Sequence, residues 1–131
     1  MAERCAVVGI GQTKYARCRP LSLDGLVREA ALRALEDAEL TFADIDAVVL
    51  GKAPDALEGV MMPELSLCDA LGAVGKPIYR VHTAGSVGAS TAISAATLVE
   101  SGMYDKVLAV SYEKQSEGDF MWALSGGRSG A

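Results

Sequence analysis

The chain has 131 residues, half of them hydrophobic and 22% charged, which is the composition of one globular domain. The net charge of -5 and the scatter of Lys and Arg argue against a polyanionic partner, so no nucleic-acid binding is expected. No apolar run approaches the ~20 residues that span a membrane, and no membrane span is predicted.

The start of the chain lacks the layout of a signal peptide, and the cysteines show no CxxC pairing. Cys5, Cys18 and Cys68 are therefore expected to be reduced thiols of a cytoplasmic protein. Cys68 has leucines around it and is expected to pack as a small hydrophobic residue. No metal site is predicted.

The first half of the chain predicts a strand, a helix and a second strand. The apolar, β-branched run Cys5–Ile10 predicts a buried strand. From Leu23 to Ala38 apolar residues recur at helical spacing, and Ser22 is a suitable N-cap. Thr41–Ile45 predicts a cap with one helical turn, and Ala47–Leu50 predicts a second buried strand closed by a glycine.

The second half predicts a further set of alternating elements. Residues 52–62 are expected to form a loop. The elements expected after it are a helix over Pro63–Leu71, a strand over Pro77–His82, a turn over Thr83–Gly88, a helix over Val87–Ser101 and a strand over Asp105–Ser111. Residues 112–131 are expected to be a loop or a truncated end.

This alternation of strands and helices indicates an α/β fold with a mostly parallel sheet and helices on its faces. The helix over Val87–Ser101 has Glu100 as its one charged residue, so we expect it to be buried on most sides. Another half-molecule or subunit would then have to cover it.

Two glycine-bearing turns invite functional interpretations. Gly9 and Gly11 follow a predicted strand, but Lys14 stands where a dinucleotide-binding fingerprint needs its third glycine. That motif is therefore rejected in favour of a simple turn. The run from Tyr79 to Thr91 predicts a strand, a tight turn and a helix N-terminus, a position that enzymes use to activate a cysteine or to hold an oxyanion.

The runs VVGIGQTKYAR, SLDGLVREAALRALEDAEL, TFADIDAVVLG and KPIYRVHTAGSVGASTAISAATLVESGMYDKVLAVSYEKQSEG carry a family resemblance. In this order they resemble the start of sterol-carrier-type and lipid-transfer-protein thiolases, over nearly the whole chain. The resemblance implies a thiolase-like α/β fold, with residues 1–131 forming an incomplete first half. It also implies that the remaining catalytic motifs lie in a second, similar half.

The resemblance also locates a site. The nucleophilic cysteine of such thiolases opens the buried helix in an A-C-A-S-G-like motif, and it falls on Gly85 here, with the glycine of the motif kept as Gly88. Glycine offers no nucleophile, and the adjacent Ser86 is expected to be a cap or turn residue rather than a substitute. His82, the single histidine, lies three residues earlier, and a catalytic and a structural role both stay open.

Two later segments belong to the same comparison. Residues 113–116 resemble a G-x-E-K-M-S segment, with Gln115 in place of methionine, and the substrate-binding positions implied are Gly85, Ser86 and Ser116. The apolar run Phe120–Leu124 is expected to pack as a loop against its neighbours.

Relatives without the cysteine resemble carbon–carbon lyases that cleave a β-hydroxyacyl-CoA, with a steroid or lipid side chain, by a retro-aldol reaction. That chemistry needs a base and stabilisation of a thioester enolate, but no acyl-enzyme. No bound cofactor is expected, since the coenzyme A thioester is the substrate. The partners implied are acyl-CoA, a homo-oligomer or the remaining thiolase half, and an OB-fold-type acyl-CoA-binding protein. The alternatives are thiolase-type acyl transfer with a cysteine supplied elsewhere, and a non-catalytic acyl-CoA-binding or scaffold subunit.

Overall fold

The computed structural model describes residues 4–17, 20–53 and 62–114. It has an α/β fold, as the alternation of elements predicts. Its regular elements are α1 (Leu23–Ala38), β1 (Ala47–Gly51), α2 (Pro63–Ser66), β2 (Ile78–Val81), α3 (Val87–Glu100) and β3 (Val107–Ser111), with 3₁₀ turns at Phe42–Asp44 and Ala84–Ser86.

The three strands form one parallel sheet in the order β2-β1-β3. In register, Val48 of β1 lies beside Ile78 of β2 and Leu108 of β3. Every residue of β1 is buried, as expected for the central strand of a sheet that has helices on both faces.

The larger core lies between the sheet and α1. The buried residues of α1 include Leu23, Val27 and Leu35, and they pack against Leu50 of β1 and Val110 of β3. Both ends of the helix form as the sequence predicts. Ser22 accepts a hydrogen bond from the Gly25 amide at 3.1 Å.

Helix α3 packs on the opposite face of the sheet. It comes close to the sheet at Gly51, where a Cβ atom would lie 1.8 Å from Thr91 Oγ1 and 3.1 Å from Val87 Cγ2. Glycine is required there by the close approach of helix and strand. The residues of α3 that this contact buries are Val87, Thr91 and Ala95. Outside this contact α3 is open in the described part of the chain, where Ile93 is 66% exposed, so burial on most sides by another half-molecule or subunit stays a prediction.

The strand predicted over Cys5–Ile10 is wrong. This segment has no regular structure, and Val7 and Val8 are 83% and 67% exposed. Gly9 and Gly11 bring it against α1, since Cβ atoms there would lie 2.5 and 2.4 Å from carbonyl oxygens of that helix. The Ile10 amide donates to the Asp37 carboxylate at 2.8 Å rather than to a strand. A cavity of about 640 Å³ separates the segment from β3.

The rejection of a dinucleotide-binding motif is consistent with the fold, because no helix begins within residues 12–17. The helix predicted over Pro63–Leu71 is shorter than expected and ends at Ser66. Beyond it the backbone continues as turns, and Gly72 at φ 60° closes them against the ring of Phe42. Cys68 packs against the α1-side core, as predicted. Across the described ranges, no helix has the length and apolar character needed to cross a membrane.

Candidate functional site

The first turn of α3 lies at the carboxyl edge of the sheet. Since β2 and β3 run parallel, the helix that connects them must run in the opposite direction and begin where β2 ends. In open α/β sheets this edge is where ligands bind. The topology therefore places the Gly85 turn at the edge that such folds use for chemistry.

The turn itself has a strained backbone. Ala84 adopts φ 49°, a left-handed conformation that costs a residue with a Cβ of order 1 kcal/mol. The Ser86 amide donates to the Thr83 carbonyl at 3.2 Å, and the Val87 amide donates to the Ala84 carbonyl. The amides of Ala84 and Gly85 come before these bonds, so they have no acceptor within the helix. They lie where the helix dipole favours negative charge.

Gly85 is exposed, and its lack of a side chain is not imposed by its surroundings. An ideal Cβ at this position meets no heavy atom within 4 Å, and Gly85 is not among the residues with a positive φ. The backbone and the neighbouring atoms would both accept a side chain. The described residues therefore give no steric reason for a glycine at this position.

The neighbouring predicted residues are close to this turn along the chain. The Ser86 hydroxyl donates to the Thr83 carbonyl at 2.8 Å, and the Thr83 hydroxyl in turn donates to Ser90 Oγ at 2.8 Å. Ser86 makes no capping bond with its side chain. His82 is exposed and directly follows the last residue of β2. Ser116 and Phe120–Leu124 lie outside the described residues, as does Cys18.

The same edge carries charged residues, of which Glu113 and Lys114 belong to the segment that resembles G-x-E-K-M-S and Lys52 was missed by sequence reasoning. Lys52 directly follows β1 and is fully buried, and Lys114 follows β3 and is 8% exposed. Glu113, next to Lys114 in the sequence, accepts a hydrogen bond from the amide of Ala53, which follows Lys52. For Lys52 the available signal was a charged residue directly after a run of buried strand residues, because such a residue lies at the carboxyl edge.

The described cysteines are not part of the Gly85 turn. Cys68 packs against the core on the α1 side of the sheet, whereas α3 packs on the other side. Cys5 belongs to the segment that lies against α1 and lines the cavity beside β3. Within residues 4–17, 20–53 and 62–114, no group of His, Cys, Asp and Glu could hold a metal ion.

No family model matches the chain. It is 31% identical to sterol carrier protein 2 of Gallus gallus over 128 residues, which are 95% of this chain and 23% of that protein. It is 32% identical to an acetyl-CoA acetyltransferase of Methanothermobacter thermautotrophicus, over 86% of this chain and 30% of that protein. The chain thus spans about a quarter to a third of the length of these relatives.

The fold has a counterpart among solved structures. The crystal structure of 3-oxoacyl-(acyl-carrier-protein) synthase III from Aquifex aeolicus matches 86% of this chain and 38% of its own, with a TM-score of 0.66 and 21% identity. At that identity the likeness concerns the fold, which is thiolase-like. With sequence relatives of the sterol-carrier type and a thiolase-like fold, the chain belongs to the thiolase superfamily and represents part of a sterol-carrier-type member.

Proposed function

We propose that this chain is part of a protein that handles coenzyme A thioesters without a covalent acyl-enzyme. In this proposal the protein cleaves a carbon–carbon bond of a β-hydroxyacyl-CoA by a retro-aldol reaction. The observation that carries it is Gly85, exposed at the start of α3 with open space around it. A nucleophile would fit there, and the sequence supplies none.

The turn is suited to the charge that a retro-aldol reaction develops. A base removes the proton of the β-hydroxyl group, the oxygen's electron pair forms a carbonyl, and the bond between the α- and β-carbons breaks. Its electron pair becomes a thioester enolate, which is then protonated at the α-carbon. Amides at a helix N-terminus stabilise such an oxyanion. No acyl group has to be transferred to the protein.

Thiolase-type acyl transfer is the second candidate, because one relative carries the name acetyl-CoA acetyltransferase. It requires a thiol from elsewhere. Cys68 is an unsuitable donor, since it lies in the core on the other face of the sheet from α3. A cysteine of another segment or subunit would have to reach the Gly85 turn.

The partners are part of the same proposal. The exposed apolar residues of α3 support a cover formed by the remaining thiolase half or by a second copy. An OB-fold-type acyl-CoA-binding partner and a cytoplasmic location complete the proposal. Neither adds to the chemistry at Gly85.

The deciding experiment is an assay of the native assembly that contains this chain. Cleavage of a β-hydroxyacyl-CoA, with no thiolysis by free coenzyme A, is the expected result. Thiolysis that a single iodoacetamide-sensitive thiol supports would replace this proposal with acyl transfer. Tight binding of acyl-CoA with neither reaction would leave a scaffold subunit.

A pair of variants tests the position itself. Gly85→Cys restores a thiol at the helix N-terminus, where its pKa is lowered and iodoacetamide labels it readily. Gly85→Ala is the matched control, because it adds a Cβ without a nucleophile. Retention of cleavage by Gly85→Ala, and capture of an acyl group by Gly85→Cys alone, are the expected outcomes. Failure of Gly85→Cys to label would mean that this turn is not the place where a thiolase cysteine works.

A further inference from the structure

The cavity beside β3 lies in the layer of the sheet, and we call it the sheet slot. It is bordered by β3 on one edge and by residues 5–10 on the other. Ala30 and Ala34 of α1 line it from one face of the sheet, and Ala92 and Ala96 of α3 line it from the other face. Polypeptide on both edges and helices on both faces are the surroundings of an inner strand of an α/β sheet. The sheet slot is therefore the place of a strand that the described residues do not supply.

Residues 5–10 are held at the far edge of the sheet slot by α1. A Cβ atom at Gly9 would meet Ala34 and Ala38, and one at Gly11 would meet Ala30 and Ala34, one helical turn earlier. One turn is about 5.4 Å long, and two extended residues span about 6.6 Å, so the segment is extended and follows the helix. It cannot close onto β3 without losing these contacts.

The edge of β3 that faces the sheet slot carries unpaired backbone groups. The Lys106 carbonyl accepts from the Asp46 amide at 2.9 Å, and the Tyr112 amide donates to the Gly51 carbonyl at 3.2 Å. The even-numbered residues of β3 therefore point their backbone groups at β1, because these groups alternate between the two sides of a strand. The odd-numbered residues point theirs into the slot, where no described strand pairs with them. These residues are Val107, Ala109 and Ser111.

The chemistry of this edge favours a polypeptide strand over an apolar ligand. Three N–H groups and three C=O groups face the sheet slot, in register for a parallel or an antiparallel neighbour. An acyl chain would cover the apolar lining but would bury these six groups without hydrogen bonds, which is costly. A strand satisfies the same groups while its side chains contact both helices.

The two-sided shape of the slot excludes a strand that already belongs to a folded sheet. Strand β1 is paired on both edges, and β2 and β3 are each paired on one edge. A strand in the slot has β3 on one side and residues 5–10 on the other, so it has no room for a neighbour of its own. None of the described strands of a second copy can therefore enter with its sheet intact. More than two thirds of the length of the relatives lies outside the part that matches this chain and can supply such a strand.

We propose that a strand from the part of the protein outside residues 1–131 fills the sheet slot and pairs with β3. Both faces of this strand meet helices lined with alanine, so we expect it to carry large apolar residues on both faces. The strand also gives residues 5–10 the neighbour that they lack in this structure. The inference concerns how the sheet is completed, and it does not depend on the reaction proposed above.

Hydrogen exchange of single amides in the native assembly tests the pairing. Strand β3 contains its own control, because the amides of Leu108 and Val110 face β1 in every case. With a strand in the slot, the amides of Val107, Ala109 and Ser111 should exchange as slowly as these two, within about tenfold. Exchange of the three at the rate of an unfolded chain, while Leu108 and Val110 stay protected, would show an open slot and overturn the proposal.

Photo-cross-linking identifies the occupant. The photoreactive residue p-benzoylphenylalanine replaces Val8, which is exposed and lines the sheet slot, and in a matched control it replaces Leu32, which is exposed on α1 and does not line the slot. After irradiation of the native assembly, position 8 should be joined to a peptide from outside residues 1–131 that position 32 does not reach. A cross-link to residues 1–131 of either copy, or to an acyl chain, would overturn the proposal. Neither measurement uses turnover, so failure of the proposed reaction and failure of strand insertion are seen separately.

Discussion

Helices α1 and α3 pack on opposite faces of one sheet, yet they relate to it differently. Helix α1 buries its apolar residues along one stripe and carries charged residues on its outer side. An example is the Arg33–Glu29 ion pair at 2.7 Å. Helix α3 buries three residues against the sheet, and its outer side stays apolar, with Ile93 66% exposed.

The difference shows which of the two helices has its apolar side chains buried by this chain. The apolar stripe of α1 packs against the sheet, so this stripe is buried by the described residues of the chain itself. Helix α3 has more apolar residues than the sheet buries. An exposed apolar helix face next to a candidate site is the kind of surface that another polypeptide covers.

The largest expected effect distinguishes the two helices directly. Leu35→Ala in α1 removes a side chain that is 4% exposed and should lower the free energy of unfolding by about 3 kcal/mol. Ile93→Ala in α3 should cost less than about 0.5 kcal/mol in the same urea titration, because little of that side chain is buried by this chain. Equal losses would mean that the outer side of α3 is covered.

The contact between α3 and the sheet is tested at Gly51. Gly51→Ala places a Cβ 1.8 Å from Thr91 Oγ1 and 3.0 Å from Thr91 Cβ, so the helix must move. We expect a loss of about 2 kcal/mol by chemical denaturation, as for an overpacked core. Gly88→Ala is the control, since nothing lies within 4 Å of its Cβ and alanine favours a helix. A neutral Gly51→Ala would show that the close seating of α3 is not needed.

The two helix starts differ at their serines. Ser22 caps α1 through its hydroxyl, whereas Ser86 before α3 makes no such bond. Ser22→Ala should therefore cost about 1 kcal/mol, and Ser86→Ala clearly less, when thermal unfolding is compared at one pH. A larger loss for Ser86→Ala than for Ser22→Ala would contradict this assignment of the caps.

The smallest effect concerns the turn after α1. The Thr41 amide and then the Thr41 hydroxyl donate to the Asp44 carboxylate, and they hold its pKa below the ordinary value of 3.8. A lowered folded pKa gives stability that is present above the unfolded pKa and lost as the pH falls through the folded one. The stability difference between the native protein and Asp44→Asn should therefore vanish in strong acid. Titration of Asp44 by NMR at or above its ordinary value would contradict the capping bonds.

The local parts of the fold could be predicted, and the non-local parts could not. Ser22 and the apolar spacing of α1 define that helix within its own sequence. The run Cys5–Ile10 has strand composition as well, but a strand also needs an edge to pair with. In the structure Gly9 and Gly11 pack against α1, and the Asp37 carboxylate accepts a hydrogen bond from the Ile10 amide. The composition of a short segment does not indicate that a helix distant in the sequence will bind its backbone in place of a neighbouring strand.

The candidate site likewise has local features that the sequence predicts and non-local features that it does not. The strand–turn–helix around Gly85 followed from the sequence, because small residues and a helix start are local signals. The hydrogen bond from the Ala53 amide to Glu113 joins residues 60 positions apart, and no local pattern predicts it. The burial of Lys52 likewise depends on elements that fold over it.

By itself, the sequence determined the α/β class, the amphipathic helix and the glycine at the start of α3, since each depends on residues close together in the chain. Only the tertiary structure decided that α3 packs closely against Gly51 and that residues 5–10 lie against α1 instead of forming a strand. It also decided that Asp46 and Glu113 accept hydrogen bonds that link β1 and β3. These features depend on which distant atoms meet. Such contacts form only when the packed sheet brings remote segments together.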